Sequence, residues 1–221
     1  MMYPILKRLL DIILALISII VVSPLLIPVM IILRLTGEGE VFYLQERIGY
    51  KNQLFKIWKF ATMLKNSPNL GTGDVTVKND PRVLPFGQWL RKTKINELPQ
   101  LINVLIGNMS IVGARPLMSQ SFDQYSDDVK SVIYNSPPGI TGIGSIVFRD
   151  EESIIDKSDL PPREFYEKFI LPYKGQIEIW YQNNKSFFVD IIIIMITAWV
   201  IIFPKSNIIY KIFKSLPERS F

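Results

Sequence analysis

The feature that most constrains this chain is an apolar stretch near its N-terminus. From Leu9 to Leu35 nearly every residue is apolar, and these 27 residues are enough to cross a hydrocarbon core of about 30 Å. The run is too long for the apolar core of a cleaved signal peptide, and no small-residue cleavage site follows it. We therefore expect this segment to enter a membrane and to stay in the protein.

The middle of this stretch carries a helix-breaking signal. Ser23 and Pro24 lie there, and Pro28 follows one turn later, so two backbone amide donors are missing. Basic residues flank both ends, with Lys7 before the stretch and Arg34 near its end, so the positive-inside rule gives no direction. The pattern predicts a re-entrant helix–break–helix over residues 1–36. A kinked helix that spans the membrane is the alternative.

A second apolar segment lies near the C-terminus. Its uncharged run, Ile191–Phe203, has 13 residues and follows Asp190, which is too short for a simple span and suits an interfacial or buried helix. The basic, aromatic tail that follows suits contact with an anionic lipid surface, although a frayed basic terminus has the same composition. We therefore predict a membrane helix over 1–36, a catalytic domain over 37–185 and a membrane-associating helix and tail over 186–221.

The missing residue types restrict the chemistry. The chain has no cysteine and no histidine, which excludes disulfides, thiolate catalysis and imidazole bases or metal ligands. Residues 41–120 carry eleven basic and four acidic side chains, a net charge of +7 within a chain total of +5. Such a block suits phosphate-bearing partners or an acidic headgroup, although a solvated basic face has the same composition. The block does not place interleaved aromatic residues on one face, and it contains no recognised nucleic-acid-binding module, so we expect no nucleic acid partner.

Between the apolar segments we expect a small mixed α/β domain with a β-hairpin and several amphipathic interfacial helices. Residues 41–60 form two β-rich runs around a turn at 49–53, which predicts a hairpin. Residues 67–85 are rich in Gly, Pro, Asn and Asp and predict a loop. Helices are predicted from Phe86 and from Asn96, where Asn96 is the expected N-cap. Residues 143–148 have a β-like composition, and residues 161–185 predict a helix interrupted at Pro172.

An ordered series of motifs then resembles the bacterial sugar transferase family, and in particular its small monotopic polyprenyl-phosphate phosphoglycosyl transferases. The matching residues cover nearly the whole chain. They are Ser23-Pro24, Gln45/Arg47/Gly49, Lys59–Met63, Asp80–Arg82, Leu90–Thr93, Glu97–Leu101, Asn103–Ser110, Val112–Pro116 and Pro138–Gly142.

The resemblance implies a reaction. A sugar-1-phosphate moves from a nucleoside diphosphate sugar to polyprenyl phosphate, with Mg²⁺ as cofactor, and begins a bacterial surface glycan of the exopolysaccharide, lipopolysaccharide or capsule type. It also implies a location on the inner (cytoplasmic) membrane of a bacterium, with the catalytic domain facing the cytoplasm. The implied partners are both substrates, the lipid bilayer, a second copy of the chain and downstream glycosyltransferases.

The matched motifs nominate the site. Asn96 and Glu97 are the catalytic and metal-binding candidates, and the substrate-binding candidates are Lys59, Asp80, Arg82, Arg91, Arg115, Gly139 and Thr141. The chain departs from the family pattern at three positions: Asn96 replaces an aspartate, Ala61 an arginine and Ala114 a proline. Most candidates also have an ordinary structural interpretation. Asp80 and Arg82 can form a local ion pair, and Gly139 can serve a plain turn.

Asn96 leaves several interpretations open, because an amide is a poor nucleophile and offers Mg²⁺ only a neutral oxygen. Glu97 can be the nucleophile, or it can act as a base on the lipid phosphate for direct transfer. The chain can be a catalytically impaired relative that acts as a membrane-anchored binding or scaffold protein. Asn96 can also replace an original aspartate through a deliberate substitution.

Overall fold

The computed structural model describes residues 2–67 and 80–221, arranged in two compact units. Unit 1 comprises residues up to 11, 47–55 and 107–221, and unit 2 comprises residues 12–46 and 56–106 without the segment 68–79. Most of the predicted loop over 67–85 therefore lies outside the described residues. The mixed α/β class, with a long apolar N-terminal helix and a small hairpin, is confirmed.

The N-terminal segment is one α-helix, α1, over Met2–Leu35. The helix is not interrupted at Ser23 and Pro24, and the reason is local. Pro24 cannot donate to the carbonyl of Ile20, but the hydroxyl of Ser23 donates to that same oxygen at 2.8 Å. Because the orphaned carbonyl is satisfied, the helix continues through the proline.

By length and composition α1 could cross a membrane, and among the described helices it alone is both long and apolar enough. Its 34 residues correspond to about 51 Å at 1.5 Å per residue. Large apolar side chains along it are exposed, among them Ile20, Val21 and Ile31. Such exposure is unfavourable in water and suits a helix surrounded by lipid.

The predicted hairpin is present. Strands β1 (Phe42–Ile48) and β2 (Leu54–Phe60) pair with each other, and residues 49–53 turn between them. The turn needs left-handed backbone at Lys51 and Asn52. The tip belongs to unit 1, where the Lys51 amide donates to the carbonyl of Tyr134 at 2.9 Å.

Unit 2 continues with helices α2 (Pro85–Lys92) and α3 (Gln100–Ile106). A single 3₁₀ turn, Ile95–Glu97, lies between them. The core of this unit is built by residues from α1, β2 and α2. Its buried members are Val29, Leu33, Phe60 and Leu90.

Unit 1 contains a two-stranded parallel sheet and most of the helices. Strand β3 (Ser110–Val112) pairs with β4 (Gly139–Thr141), with Ser110 opposite Gly139 and Val112 opposite Thr141. The helices of this unit are α4 (Ser119–Asp123), α5 (Asp127–Val132), α6 (Ile143–Val147), α7 (Glu151–Asp156), α8 (Pro162–Phe165), α9 (Leu171–Asn184), α10 (Phe187–Ile202) and α11 (Ile208–Ile212). Their apolar faces form the main core, which includes Ile146, Ile177 and Ile196.

Two local predictions are corrected in this unit. Residues 143–147 form helix α6 and not a strand. At Pro172 the chain does not leave the helical path: a π-helical segment, Tyr166–Ile170, joins α8 to α9. A π-helical turn widens the backbone, which lets a helix continue past a proline that cannot donate.

The first turns of α1 are tied into unit 1 by buried polar contacts. Lys7 donates to Asp190 on α10 at 2.7 Å and to the carbonyl of Val112 at 2.8 Å. Asp11 accepts hydrogen bonds from the Ser110 hydroxyl and the Ile111 amide. The start of the apolar helix is thus fastened to β3 and to the beginning of α10.

Candidate active site

The two catalytic candidates lie in the 3₁₀ turn between α2 and α3. The turn opens at Lys94, which adopts left-handed backbone with φ 61°, and the Glu97 amide donates to the Lys94 carbonyl at 3.0 Å. Ile95 packs on the core of unit 2 and fixes the turn from one side. Asn96 and Glu97 are thus held side by side in a short turn that is closed by a backbone hydrogen bond.

Asn96 does not have its predicted structural role. Helix α3 begins at Gln100, so Asn96 is not its N-cap. Its side chain is only 8% exposed, and its Oδ1 atom accepts no hydrogen bond. A buried carbonyl oxygen without a donor costs about 1–3 kcal/mol. The turn therefore retains a buried oxygen whose hydrogen-bonding capacity is unused.

Arg91 is positioned by the motif that contains Thr62. Its Nη1 atom lies 3.5 Å from Thr62 Oγ1, at the long end of hydrogen bonding to oxygen, and 3.5 Å from Met63 Sδ. This placement depends on Gly87 in the same helix, because a Cβ atom there would lie 2.2 Å from the Thr62 carbonyl oxygen. Only glycine lets α2 approach the Lys59–Met63 segment so closely.

Asp80 and Arg82 form a buried ion pair. Arg82 donates through Nε to Asp80 Oδ1 at 2.9 Å and through Nη2 to Oδ2 at 2.6 Å, and its Nη1 donates to the Ser67 carbonyl at 2.8 Å. Both side chains are at most 5% exposed. This bidentate geometry agrees with the structural interpretation of the motif. A role in substrate binding stays a prediction.

Lys59 lies on β2 and donates to Gln45 on β1 at 3.2 Å, so two family motifs meet across the hairpin. Asn103 of another motif was not singled out by its sequence pattern. It is fully buried, accepts from the Trp58 amide at 2.8 Å and donates to the Lys56 carbonyl at 2.8 Å. Asn103 thereby fastens α3, the helix that follows the Asn96 turn, to the edge of β2.

The remaining candidates belong to unit 1. Arg115 is exposed, and its turn is held by a relay through the Tyr134 hydroxyl. The Leu117 amide donates to Tyr134 Oη at 2.9 Å, and that hydroxyl donates to the Arg115 carbonyl at 2.8 Å. Burial raises the pKa of Tyr134, which keeps the hydroxyl protonated and able to donate.

The glycine-rich segment 138–142 packs on the chain's own backbone. The Gly139 amide donates to Ala114, and a Cβ atom at Gly139 would lie 2.1 Å from the Gly113 nitrogen. The space beside Gly139 is therefore filled by the backbone of Gly113, and a role of Gly139 in substrate binding stays a prediction. Thr141 Oγ1 lies 2.8 Å from Thr197 Oγ1 on α10, so its hydroxyl has a partner within the protein.

Helix α6, directly after this segment, meets a buried acid that the sequence analysis missed. The Gly144 amide donates to the carboxylate of Glu178 on α9, while Glu178 Oε2 has no hydrogen-bond partner. Burial is the main cause that raises the pKa of Glu178 to about 7. A lone glutamate in a helix gives no sequence signal for this role.

The predicted site residues thus fall into two groups. Unit 2 contains Lys59, Asp80, Arg82, Arg91, Asn96 and Glu97, and unit 1 contains Arg115, Gly139 and Thr141. Within unit 2 the contacts connect Arg91 to Thr62 and Lys59 to Gln45. Asn96 and Glu97 are adjacent in one turn.

The oxygen atoms of this turn suit Mg²⁺ better than a metal that takes all of its ligands from the protein. Among residues 2–67 and 80–221 no group of three or more acidic side chains could hold a metal ion. The turn offers the Glu97 carboxylate and the unpartnered Oδ1 of Asn96. Mg²⁺ in phosphoryl-transfer sites is commonly held by one or two carboxylates together with substrate phosphates and water.

Comparison with known proteins decides the family. The sequence profile described as "Bacterial sugar transferase" matches residues 2–204. The chain belongs to the bacterial sugar transferase family. The resemblance drawn from the ordered motifs is therefore confirmed, and the motif residues described above are those of a member of this family.

Three relatives within this family show the range of similarity. The undecaprenyl-phosphate galactose phosphotransferase of Salmonella typhimurium is 32% identical over 89% of this chain and 40% of its own length. The UDP-glucose:undecaprenyl-phosphate glucose-1-phosphate transferase of Escherichia coli is 36% identical over 80% of this chain and 37% of its own length. The exopolysaccharide production protein ExoY of Sinorhizobium fredii is 35% identical over 66% of this chain and 71% of its own length. The chain thus spans about two fifths of the first two relatives.

Proposed function

We propose that this protein transfers a sugar-1-phosphate from a nucleoside diphosphate sugar to polyprenyl phosphate and so begins a bacterial surface glycan. The observation that carries the proposal is the family match over residues 2–204, because the relatives from Salmonella typhimurium and Escherichia coli are both named as transferases of undecaprenyl phosphate. These names also favour an enzyme over a catalytically impaired scaffold. A second copy of the chain and downstream glycosyltransferases stay predictions.

The site chemistry supports a phosphate-bearing substrate pair. Arg91 has a planar guanidinium that can bind a phosphate with two parallel hydrogen bonds, and the Thr62 hydroxyl lies beside it. Arg115 extends from a turn whose backbone is held by a hydrogen bond from the Tyr134 hydroxyl. In this proposal Arg91 and Arg115 each bind substrate phosphate, and Lys59 adds a further positive charge.

Two routes are open for Glu97. In the first, its carboxylate attacks the phosphorus that carries the sugar, the phosphoanhydride bond breaks and a nucleoside monophosphate leaves. An oxygen of polyprenyl phosphate then attacks the same phosphorus and releases the Glu97 carboxylate. In the second, Glu97 takes the proton from polyprenyl phosphate, whose oxygen attacks the donor directly and expels the nucleoside monophosphate.

We propose Glu97 and Asn96 as the residues that hold Mg²⁺. When bound there, the ion would neutralise charge on the phosphate oxygens during transfer. The support is the buried Oδ1 of Asn96, which no donor satisfies, beside the carboxylate of Glu97.

We also propose that both ends of α1 face the cytoplasmic side of the inner membrane, so that the catalytic residues meet the lipid phosphate at headgroup depth. Support comes from the two prolines in the middle of α1 and from the basic residues near both of its ends. This arrangement requires α1 to bend within the membrane, and Pro24 and Pro28, which cannot donate, weaken the helix where that bend would lie.

The deciding experiment measures release of nucleoside monophosphate by the protein in detergent with undecaprenyl phosphate and a panel of UDP-linked sugars. We expect release that requires the lipid phosphate, one preferred sugar and Mg²⁺. The control omits undecaprenyl phosphate while keeping the donor. Absence of lipid-dependent release across the panel, from protein that shows a cooperative thermal unfolding transition, would overturn the transferase proposal.

A further inference from the structure

One charged residue lies inside the apolar stretch of α1. Between Leu9 and Leu33 the side chain of Asp11 is the only charged one in the sequence. A carboxylate in such a stretch is costly, and a residue of this kind normally has a specific partner inside the protein. Asp11 is only 4% exposed, so its side chain faces the protein. The proposed function leaves this carboxylate without a role.

The hydrogen-bond partners of Asp11 lie on strand β3. Its Oδ1 atom accepts from the Ser110 hydroxyl at 2.9 Å and from the Ile111 amide at 2.8 Å. Because Ser110 and Val112 pair with β4, the amide of Ile111 between them points to the opposite edge of the strand. Asp11 thus satisfies an amide donor that the pairing of β3 with β4 leaves open.

Lys7 holds the end of the same strand. Its Nζ atom donates to the Val112 carbonyl at 2.8 Å. Lys7 and Asp11 are four residues apart and therefore lie on the same face of α1. Together the two side chains bond to all three residues of β3, Ser110–Val112, and fix the place of the strand against α1.

The chain that leaves β3 leads directly to Arg115, through two residues that are bonded to the segment 139–141. The Gly113 amide donates to the Thr141 carbonyl at 2.9 Å, and the Ala114 carbonyl accepts from the Gly139 amide at 2.8 Å. Both Gly113 and Ala114 are buried. No loose loop therefore separates β3 from Arg115, and a displacement of the strand would be carried to the arginine.

We propose that Asp11 is a positioning residue for Arg115. Through Ser110 and Ile111 it sets the position of β3, and through β3 it sets the direction in which the Arg115 guanidinium meets a substrate phosphate. The apolar helix is thereby a part of the substrate site as well as an anchor. The inference rests on the proposed function, in which Arg115 binds phosphate, and extends it to a residue of α1. All of these residues belong to unit 1.

The test measures steady-state release of nucleoside monophosphate by the full chain in detergent, with the UDP-linked sugar and undecaprenyl phosphate varied in turn. Arg115→Lys identifies the substrate whose phosphate Arg115 binds, because the KM for that substrate should rise. We expect Asp11→Ala to raise the KM for the same substrate severalfold. A rise for the other substrate alone, or a lower kcat with both KM values unchanged, would overturn the proposal.

Double variants separate positioning from a general effect on the protein. If Asp11 acts through Arg115, Asp11→Ala combined with Arg115→Lys should have the same kcat/KM as Arg115→Lys alone. Asp11→Ala combined with Arg91→Ala is the matched control, and there the two single losses should multiply, because Arg91 lies on a different segment in unit 2. Losses that multiply in both double variants would show that Asp11 does not act through Arg115.

Two further variants control for stability. Ser110→Ala removes one of the two hydrogen bonds and should raise the same KM by a smaller factor; an unchanged KM in this variant would contradict the proposal even if Asp11→Ala fails to fold. Tyr173→Phe removes a hydrogen bond to the Pro217 carbonyl elsewhere in unit 1 and should lower the thermal midpoint without changing KM. An equal rise of KM in Tyr173→Phe would assign the effect to lost stability. Failure of the transferase proposal is distinguishable, because the unmodified protein would then show no lipid-dependent release.

Discussion

Lys7 and Asp190, 183 residues apart in the sequence, form a buried ion pair in which Lys7 Nζ lies 2.7 Å from Asp190 Oδ2. The Tyr181 hydroxyl donates to the other carboxylate oxygen at 2.8 Å. The pair joins the beginning of α1 to the beginning of α10, and it gives a structural role to a charged residue that precedes each apolar stretch.

Replacement of Lys7 should destabilise the protein strongly. Lys7→Met leaves the Asp190 carboxylate buried without its cation, a loss of about 3–5 kcal/mol, which corresponds to a fall in the thermal midpoint of roughly 6–20 °C for a chain of this size. The measurement is thermal unfolding in detergent. Lys65→Met is the control, because its 2.8 Å ion pair with Glu40 is exposed to solvent and should contribute little to stability. If both variants lowered the thermal midpoint equally, burial would not increase the contribution of the Lys7–Asp190 pair to stability.

Glu178 should make stability depend on pH. Its folded pKa of about 7 lies above the ordinary value of 4.5, so the folded chain holds the proton more tightly than the unfolded chain. The resulting stabilisation is complete below pH 4.5, declines between 4.5 and 7 and is absent above 7. The thermal midpoint of Glu178→Gln relative to the unmodified protein should therefore be higher at pH 8 than at pH 5. Glu164→Gln, at an exposed position, should show no such change with pH. If the midpoint difference between Glu178→Gln and the unmodified protein were the same at pH 5 and pH 8, the raised pKa of Glu178 would be contradicted.

Local patterns in the sequence were sufficient for elements that are stabilised by their own residues. The hairpin over 42–60 and helix α2 have this character, because turn residues and apolar spacing specify them. Residues 143–147 were expected to be β-like, but they fold as α6 because Ile143, Ile146 and Val147 pack together in the core of unit 1. Packing of this kind overrides local β propensity.

In the candidate site, too, tertiary contacts decide features that local sequence patterns do not predict. Asn96 has the composition of an N-cap, yet the helix begins at Gln100 and the amide oxygen is left without a donor. Asn103 and Tyr134 hold site segments through bonds between residues 17 to 47 positions apart. Contacts at that separation depend on the tertiary fold, so no local pattern reveals them.

Loss of arginine geometry should reduce transfer more than loss of charge. Arg115→Lys keeps the positive charge but removes the planar fork, so we expect most activity to be lost while the thermal midpoint changes little, because Arg115 is exposed. Arg91→Ala should lower activity as well. Lys157→Gln, which removes an exposed charge on another segment, is the control. Unchanged release of nucleoside monophosphate in both arginine variants would exclude these residues from substrate binding.

The topology of α1 can be tested with cysteines at its two ends. For a re-entrant helix, Met2→Cys and Glu40→Cys should both react with a membrane-impermeant maleimide from the cytoplasmic side. Ser23→Ala removes the hydroxyl that satisfies the Ile20 carbonyl, so the reactivity of the two cysteines with the maleimide should change. Ser18→Ala leaves that hydrogen bond in place and should leave the reactivity unchanged. Labelling of residues 2 and 40 from opposite sides would show that α1 spans the bilayer.

Asn96 and Glu97 allow chemistry to be separated from folding. Because Asn96 is buried and is not a helix cap, Asn96→Asp places a carboxylate where no donor satisfies it. Without Mg²⁺ the variant should be less stable than the unmodified protein, and added Mg²⁺ should raise its thermal midpoint more, since a ligand that binds only the folded state stabilises it. If the turn is the metal site, the same variant should also show faster transfer.

Glu97→Gln completes the comparison, because it keeps the size of the side chain and removes the charge. We expect it to abolish release of nucleoside monophosphate both alone and when combined with Asn96→Asp, since the Glu97 carboxylate is the proposed nucleophile or base. Trapping of a phosphosugar adduct separates the routes: an adduct on Glu97 in the unmodified protein identifies the nucleophile, whereas transfer without any adduct indicates a base. Full activity of Glu97→Gln would remove Glu97 from either role and leave the 3₁₀ turn without its proposed chemistry.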